Sequence, residues 1–344
     1  MSIFSNKGES PIHILVINSG SSSIKYQLFD MDKGTPSTYG LVEKIGEPSS
    51  QLTHHWHDAQ GTHKTSVNKQ PITTHQAAFG VIQNVVRETD SIPNVENIKG
   101  IGHRVVHGGE TFQKPTLITK AVLDSINAVS PLAPLHNPAN VTGIEICLAS
   151  FPKIPQVAVF DTAFHQTMPA HAYTYALPTQ WYDTYGVRRY GFHGTSHSYV
   201  AKQAATFLNR SLKSLNLISL HLGNGASAAA IKEGQCIDTS MGLTPLAGLM
   251  MGSRCGDIDP AIPFYMIRET GMTTDEMDAV LNKQSGLKGV CGINDMREIL
   301  YQEDAGKPRA KLAIDMYCYH IKIYRRLFCC TWPCGRINFH RRHW

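Results

Sequence analysis

Acidic side chains are missing from the last 22 residues, Ile323 to Trp344, and that absence divides the chain. The segment IYRRLFCCTWPCGRINFHRRHW holds five arginines, three of the eight cysteines and two of the four tryptophans. Those five arginines equal the whole formal net charge of +5, so the residues before Ile323 balance to zero. The body therefore offers no electrostatic case for a nucleic-acid or membrane partner. Long apolar runs are also lacking: no stretch approaches the ~18 residues of a membrane span. The first residues, MSIFSNKGESPIHILVIN, have no apolar core of the signal-peptide kind. The body's cysteines, Cys147, Cys236, Cys255, Cys291 and Cys318, form no CxxC pair or disulfide spacing. These absences together fit a reduced, cytoplasmic setting with no membrane and no nucleic acid.

What is present is an alternation of strands and helices. Ile12 to Asn18 is a short β-branched run that stops at Ser19-Gly20-Ser21-Ser22-Ser23 and resumes as the strand IKYQLFD. The arrangement returns in the second half: Leu215 to Leu222, the turn Gly223-Asn224-Gly225, then Ala226 to Ile231. Two such hairpins half a chain apart point to a duplicated domain. The spacing predicts a helix over Thr74 to Asp90, with Thr74 as cap and Ala78, Ile82, Val85 and Val86 on one face. A buried strand is expected at Gln156 to Phe160, ending on Asp161, and helices at about Ser196–Asn209, Thr274–Lys283 and Ala310–Tyr319. The reading is α/β, with a mixed sheet in each half because hairpins open both copies. The chain is long enough for two domains of roughly 150 residues, with a boundary near residue 160.

Both glycine-rich turns would present backbone N–H groups to an anion such as a polyphosphate, in a shared cleft; a plain hairpin also needs Gly and Ser. Lys25 stands two residues past the first turn, where its ammonium could meet a phosphate. Asn18, at the strand end, could hold a metal ion or its water. Arg104 in GHRVVHGGE and Arg254 in MMGSRCGDIDP lie beside glycines and suit bidentate clamping of carboxylate or phosphate, against the plainer alternative of surface ion pairs. Asp161 closes an apolar strand where α/β sheets commonly place ligands, or it caps the next segment. His193 and His136 are candidates set against ordinary packing histidines. The dense run His54, His55, His57, His63 and His75 has no cysteine or acid to complete a tetrahedral set, which argues against zinc.

The segments VINSGSSSIKYQLFD, GHRVVHGGE, PLAPLHNP, VAVFDTAFHQTMP, RRYGFHGTSH, HLGNGASAAAI and DTSMGLTPLAGLMMGSRCGDIDPAI closely resemble acetate kinases, in order, from about residue 12 to 322. The resemblance implies two duplicated RNase H-like domains of the acetate kinase, sugar kinase, Hsp70 and actin superfamily: residues 1–160 with the acyl-substrate residues, and 161–322, nucleotide-binding and incomplete. It implies a homodimer and reversible transfer of the ATP γ-phosphoryl group to acetate with Mg²⁺, or Mn²⁺. Carried over position by position, Asn18 becomes a magnesium-site residue and Lys25 an ATP contact. His221, Leu222, Gly223, Asn224 and Gly225 form the second phosphate loop, and Asp295, Met296 and Arg297 part of the nucleotide pocket. Arg104 binds the substrate carboxylate, Asp161 is the catalytic aspartate, and His193 and Arg254 stabilise the transition state. Val106, Leu135 and Pro245 pack the acetyl methyl group, with His136 beside them. Acetate is already ionised at pH 7 and needs no general base, so we expect Asp161 to hold Mg²⁺ water or to orient an arginine. A propionate kinase of the same family, and a catalytically dead binding relative, are the alternatives.

The tail departs from that pattern. The family continues with a helix reading like KYIGAY, a strand reading like DALVFTGGIGEN and a closing helix. Codons permitted for Ile323 to Trp344, read one base later, spell YIGAYFAALGRVDASIFTGGIG, which resembles the missing segment. We therefore expect a shift of reading frame at about Lys322 that replaces part of the nucleotide site and impairs activity. The competing reading of the tail is a zinc site from Cys329, Cys330, Cys334, His340 and His343, whose spacing fits no standard finger.

Overall fold

The computed structural model describes residues 12–58, 60–89, 97–134, 136–329 and 336–340, with side chains described as far as Lys322. Two compact units divide at Asp161 and Thr162.

The first unit is built on one sheet. Its opening strands are β1 (His13–Ser19), β2 (Ser23–Asp30), β3 (Thr35–Glu43), β4 (Gln51–His57) and β5 (His63–Lys69). They run as an antiparallel meander, with β1 paired to β2 from His13↔Asp30 to Ser19↔Ile24. The helix α1 (His75–Glu88) follows, then β6 (Ile98–Val105), β7 (Thr116–Leu117), α2 (Lys120–Ala128), α3 (Asn137–Ser150) and β8 (Gln156–Phe160). β6 lies parallel to β1, and β8 parallel to β6, giving the order β5-β4-β3-β2-β1-β6-β8-β7. The predicted α1 is observed. Thr74 Oγ1 accepts from Ala77 N at 3.1 Å, and Ala78, Phe79, Ile82 and Val85 are buried. They pack with Leu15, Ile17, Ile24, Leu28 and Ile101 of the sheet and with Ile146 and Cys147 of α3.

The second unit contains α4 (Ala170–Tyr173), α5 (Thr179–Tyr185), α6 (Gly194–Phe207), β9 (Asn216–Leu222), β10 (Ala226–Lys232) and β11 (Gln235–Thr239). It continues through α7 (Ala261–Thr270), α8 (Thr274–Lys283), α9 (Gly286–Cys291), α10 (Met296–Asp304), α11 (Pro308–Cys329) and β12 (Arg336–His340). Its sheet runs β11-β10-β9-β12, again an antiparallel meander followed by a strand parallel to the first. The same order in both units is the duplication that the paired hairpins announce. Ala201, Ala204 and Ala205 of α6 bury against Leu217, Ala229 and Ile231; small residues on that helix and on β10 permit close approach.

Three local differences from the sequence reading have physical causes. α6 begins at Gly194 because His193 takes a left-handed conformation, φ 59° and ψ 20°, and serves as its N-cap. The helix expected at Ala310–Tyr319 runs from Pro308 to Cys329, into the tail. The tail supplies β12, whose RINFH alternates polar and apolar residues, paired in parallel with β9 from Arg336↔Leu217 to His340↔His221. Main-chain pairing satisfies the amides and carbonyls at the β9 edge, and a period-2 alternation suits a strand in that position. The proposed zinc ligands of the tail lie outside the described side chains.

Candidate active site

In the first unit the carboxyl ends of three neighbouring parallel strands, β1, β6 and β8, carry Asn18, Arg104 and Asp161. That is the end of an α/β sheet at which ligands gather. Arg104 Nε donates to both oxygens of Asp161, at 3.2 and 3.1 Å, and Nη2 donates to Oδ2 at 2.6 Å. Arg104 Nη1 also donates to Asn18 Oδ1 at 3.2 Å. The Asp161 side chain is buried while that of Arg104 is 40 % exposed, so the guanidinium is anchored from below and open from above. The neighbouring carboxylate raises the arginine's affinity for its proton further. Lys25 pairs with Asn18 across β1 and β2, and its side chain is exposed.

The loop after Arg104 is held by two buried asparagines of α3. Asn140 Oδ1 accepts from Val106 N at 3.0 Å, Asn137 Oδ1 accepts from His107 N at 3.0 Å, and Asn137 Nδ2 donates to His107 O at 2.9 Å. Asn140 Nδ2 also donates to Ser19 O at 2.5 Å, tying the first glycine-rich turn to the same helix. Val106 is buried, and His136 occupies the N-cap position of α3. Leu135 lies outside the described residues. Asn137 and Asn140 escaped sequence reasoning; their signal was two asparagines three apart in an otherwise apolar helix, HNPANVTGI.

The second unit gathers His193, His221, Gly225 and Arg254. The rings of His193 and His221 stack at 4.0 Å. A Cβ placed on Gly225 would stand 3.5 Å from His193 Nε2 and 3.4 Å from Arg254 Nη1, so the loop backbone, a histidine edge and a guanidinium face one another. Arg254 Nη1 donates to Pro245 O at 3.1 Å, placing Pro245 beside it. Burial lowers the Arg254 proton affinity without threatening its charge at neutral pH. Asn224 O accepts from Gly252 N at 3.0 Å, and Asn224 Oδ1 accepts from Asn294 Nδ2 at 3.2 Å. A Cβ on Gly252 would collide with Asn224 Oδ1, so a larger residue there would have to displace the Asn224 side chain.

Asn294 leads into Asp295, the N-cap of α10, which accepts from Arg297 Nε at 3.1 Å and Nη2 at 2.5 Å. Those bonds hold the Asp295 carboxyl at about 2. The exposed pair sits at the head of the helix that Met296 opens. Leu222 and Gly223 complete the β9 turn, where Gly223 N donates to Gly225 O at 3.0 Å.

The histidine run behaves as sheet furniture. His54 Nδ1 shares a 2.6 Å hydrogen bond with Tyr26 OH, and His55 stacks on Tyr39 at 4.6 Å. His75 Nε2 bonds to Gly20 O at 2.6 Å, bracing the first turn from the start of α1.

A histidine and an arginine at a glycine-rich loop, within a twice-repeated mixed-sheet fold, match a phosphotransferase of the acetate and sugar kinase fold. The acetokinase family model matches residues 13–330. An acetate kinase of Streptomyces avermitilis is 51% identical over 318 residues, spanning 92% of this chain and 77% of that protein. The solved acetate kinase of Porphyromonas gingivalis superposes with TM-score 0.86 at 43% identity, covering 93% of this chain and 80% of that one. A propionate kinase of Francisella tularensis gives 0.88 at 41%, covering 95% and 82%. The chain belongs to the acetokinase family.

Proposed function

We propose that this chain catalyses the reversible transfer of the ATP γ-phosphoryl group to acetate, giving acetyl phosphate and ADP, in the cytoplasm and as a homodimer. The observation that carries the reading is the junction of Gly225 with His193 Nε2 and Arg254 Nη1. A transferring phosphoryl group spreads negative charge over its equatorial oxygens, and a fixed N–H edge, a guanidinium and loop amides are what such charge requires.

In this reading the first unit holds the acyl substrate. Arg104, locked by Asp161, presents its guanidinium to the acetate carboxylate, and Val106 packs the methyl group, with His136 beside it. Asp161 orients an arginine and transfers no proton, since acetate arrives ionised. His221 to Gly225 and Asp295 to Arg297 receive the nucleotide, with Lys25 as a further phosphate contact.

Magnesium fits the residues present as a companion of the nucleotide. Among the described residues no cluster of three histidine, cysteine or acidic side chains could hold a metal ion. Asn18 Oδ1 and the Asp161 carboxylate are hard oxygen donors grouped around Arg104, the donor type suited to Mg²⁺ that keeps waters and phosphate oxygens. Bound there, the ion would neutralise phosphate charge. Asn18 would hold it, directly or through a water.

Acetate is preferred over propionate in this reading on the acetate kinase relatives, and one methylene changes discrimination by only about 1–3 kcal/mol. Hydroxamate trapping of acyl phosphate, formed from ATP with acetate or propionate, tests the proposal. ATP-dependent product with a larger kcat/KM for acetate supports it; product from neither acid sinks it, and a propionate preference replaces the substrate.

A further inference from the structure

Behind His193 lies a buried polar chain of two serines and a histidine. Ser227 Oγ stands 2.8 Å from His193 Nδ1 and 2.8 Å from His197 Nε2, and His197 Nδ1 stands 3.0 Å from Ser219 Oγ. His197, Ser227 and Ser219 are all buried, on α6, β10 and β9 respectively. Two polar hydroxyls and an imidazole in the alanine-rich interface between α6 and its sheet cost desolvation unless they serve one another.

We infer that the chain Ser219–His197–Ser227 fixes the orientation and tautomer of His193, which makes His197 and Ser227 positioning residues for phosphoryl transfer. The inference rests on the reading of His193 as a phosphoryl contact. A serine hydroxyl has one proton to donate, so Ser227 can donate to only one of the two rings and must accept from the other. In one order His197 Nε2–H donates to Ser227, Ser227 donates to His193 Nδ1, and the His193 proton resides on Nε2. Ser219 then donates to His197 Nδ1. In the reverse order His193 Nδ1–H donates to Ser227, and Nε2 carries a proton only if the ring is an imidazolium.

Nε2 is the edge that faces Gly225. Against a bound polyphosphate a bare Nε2 lone pair is repelled, so the anion selects a state with Nε2 protonated, and Ser227 holds the ring to deliver it. His197 can serve either order because it stays neutral: burial, with the neighbouring His165 and His221, keeps its proton affinity well below the usual histidine range. The left-handed backbone at His193, φ 59°, is a sparsely populated conformation for a non-glycine residue. It is retained here where it directs this ring.

Histidine-labelled chain observed by ¹H–¹⁵N NMR in the presence of MgATP tests the inference. His193 should be protonated at Nε2, and Ser227→Ala should give a tautomer mixture or the Nδ1–H form, with kcat lowered about 10- to 100-fold and KM for ATP and acetate changed by less than about threefold. Ser227→Thr, which keeps the hydroxyl, should restore the wild-type signature. A bare Nε2 in the unsubstituted chain overturns the inference and needs no variant to fold, as does a Ser227→Ala spectrum unchanged at His193. His193→Ala separates the two readings. Unchanged kcat there removes the phosphoryl role of His193, whereas a loss in that variant beside unchanged kcat in Ser227→Ala removes only the positioning chain.

Discussion

Arg104 and Asp161 sit at the ends of adjacent parallel strands and are joined through Nε and Nη2, the shortest bond being 2.6 Å. Both carboxylate oxygens accept from the guanidinium, so the aspartate is placed to aim it. Asp161→Asn keeps one acceptor and loses the charge. The expected outcome is a kcat/KM for acetate lower by roughly 30-fold or more, from about 2 kcal/mol or more of lost pairing, with ATP affinity little altered. Steady-state kinetics at rising Mg²⁺ check it: recovery with added metal would show that Asp161 works through the ion instead.

Arg104→Lys retains charge and loses the planar fork that meets Asp161, Asn18 and a carboxylate together. Acetate KM should rise about tenfold or more, since a point charge cannot reproduce bidentate recognition. An unchanged KM would remove Arg104 from the acyl site.

Asn137 and Asn140 satisfy the backbone N–H groups of His107 and Val106 inside the first unit. Alanine at either position leaves a buried donor without its acceptor, at a cost of about 1–3 kcal/mol each. Urea unfolding should report that loss, and acetate KM should rise because the Arg104 loop is no longer held. Stability lost with KM intact would limit both residues to a structural part.

His54, His103 and His107 are buried, and burial lowers each to about 4 from the usual 6.5. Above pH 6.5 neither folded nor unfolded chain protonates them, so they leave stability unchanged. Between 6.5 and 4 the unfolded chain binds protons that the folded one refuses, and stability falls with pH by about 1.4 kcal/mol per unit for each histidine. Denaturant titrations at pH 7, 6 and 5 should show unfolding free energy dropping progressively. Equal values at pH 7 and 5 would contradict the assignment.

Gly252 packs its α-carbon where a methyl group would strike Asn224 Oδ1. Gly252→Ala should push the Asn224 side chain from its bond with Asn294 and raise KM for ATP, leaving acetate binding unaffected. Isothermal titration with ADP and with acetate separates the two effects.

Much of the architecture was legible because it is local. The β1–β2 and β9–β10 hairpins, the Thr74-capped helix and the strand Gln156–Phe160 each announce themselves within a dozen residues. Arg104, Asp161, Asn18, His193 and Arg254 are candidates through motif resemblance, and the structure groups the first three in one unit and the last two in the other. The partners of those residues were not readable. Ser227 reaches His193 across 34 positions and Asn140 reaches Ser19 across 121, separations at which spacing carries no signal. Nor was the place of β12, whose short RINFH alternation marks a strand but does not name β9 as its neighbour.

That last pairing separates two kinds of information in the chain. A sheet recruits its neighbour through amides and carbonyls common to every residue, so β9 gains a parallel companion from a segment rich in arginine and aromatics. Recognition of a nucleotide has no such generic currency and depends on which side chains follow the strand. The tail can thus be a competent piece of scaffold and a poor piece of binding site at once, and a thermal melt of this chain would say little about its turnover.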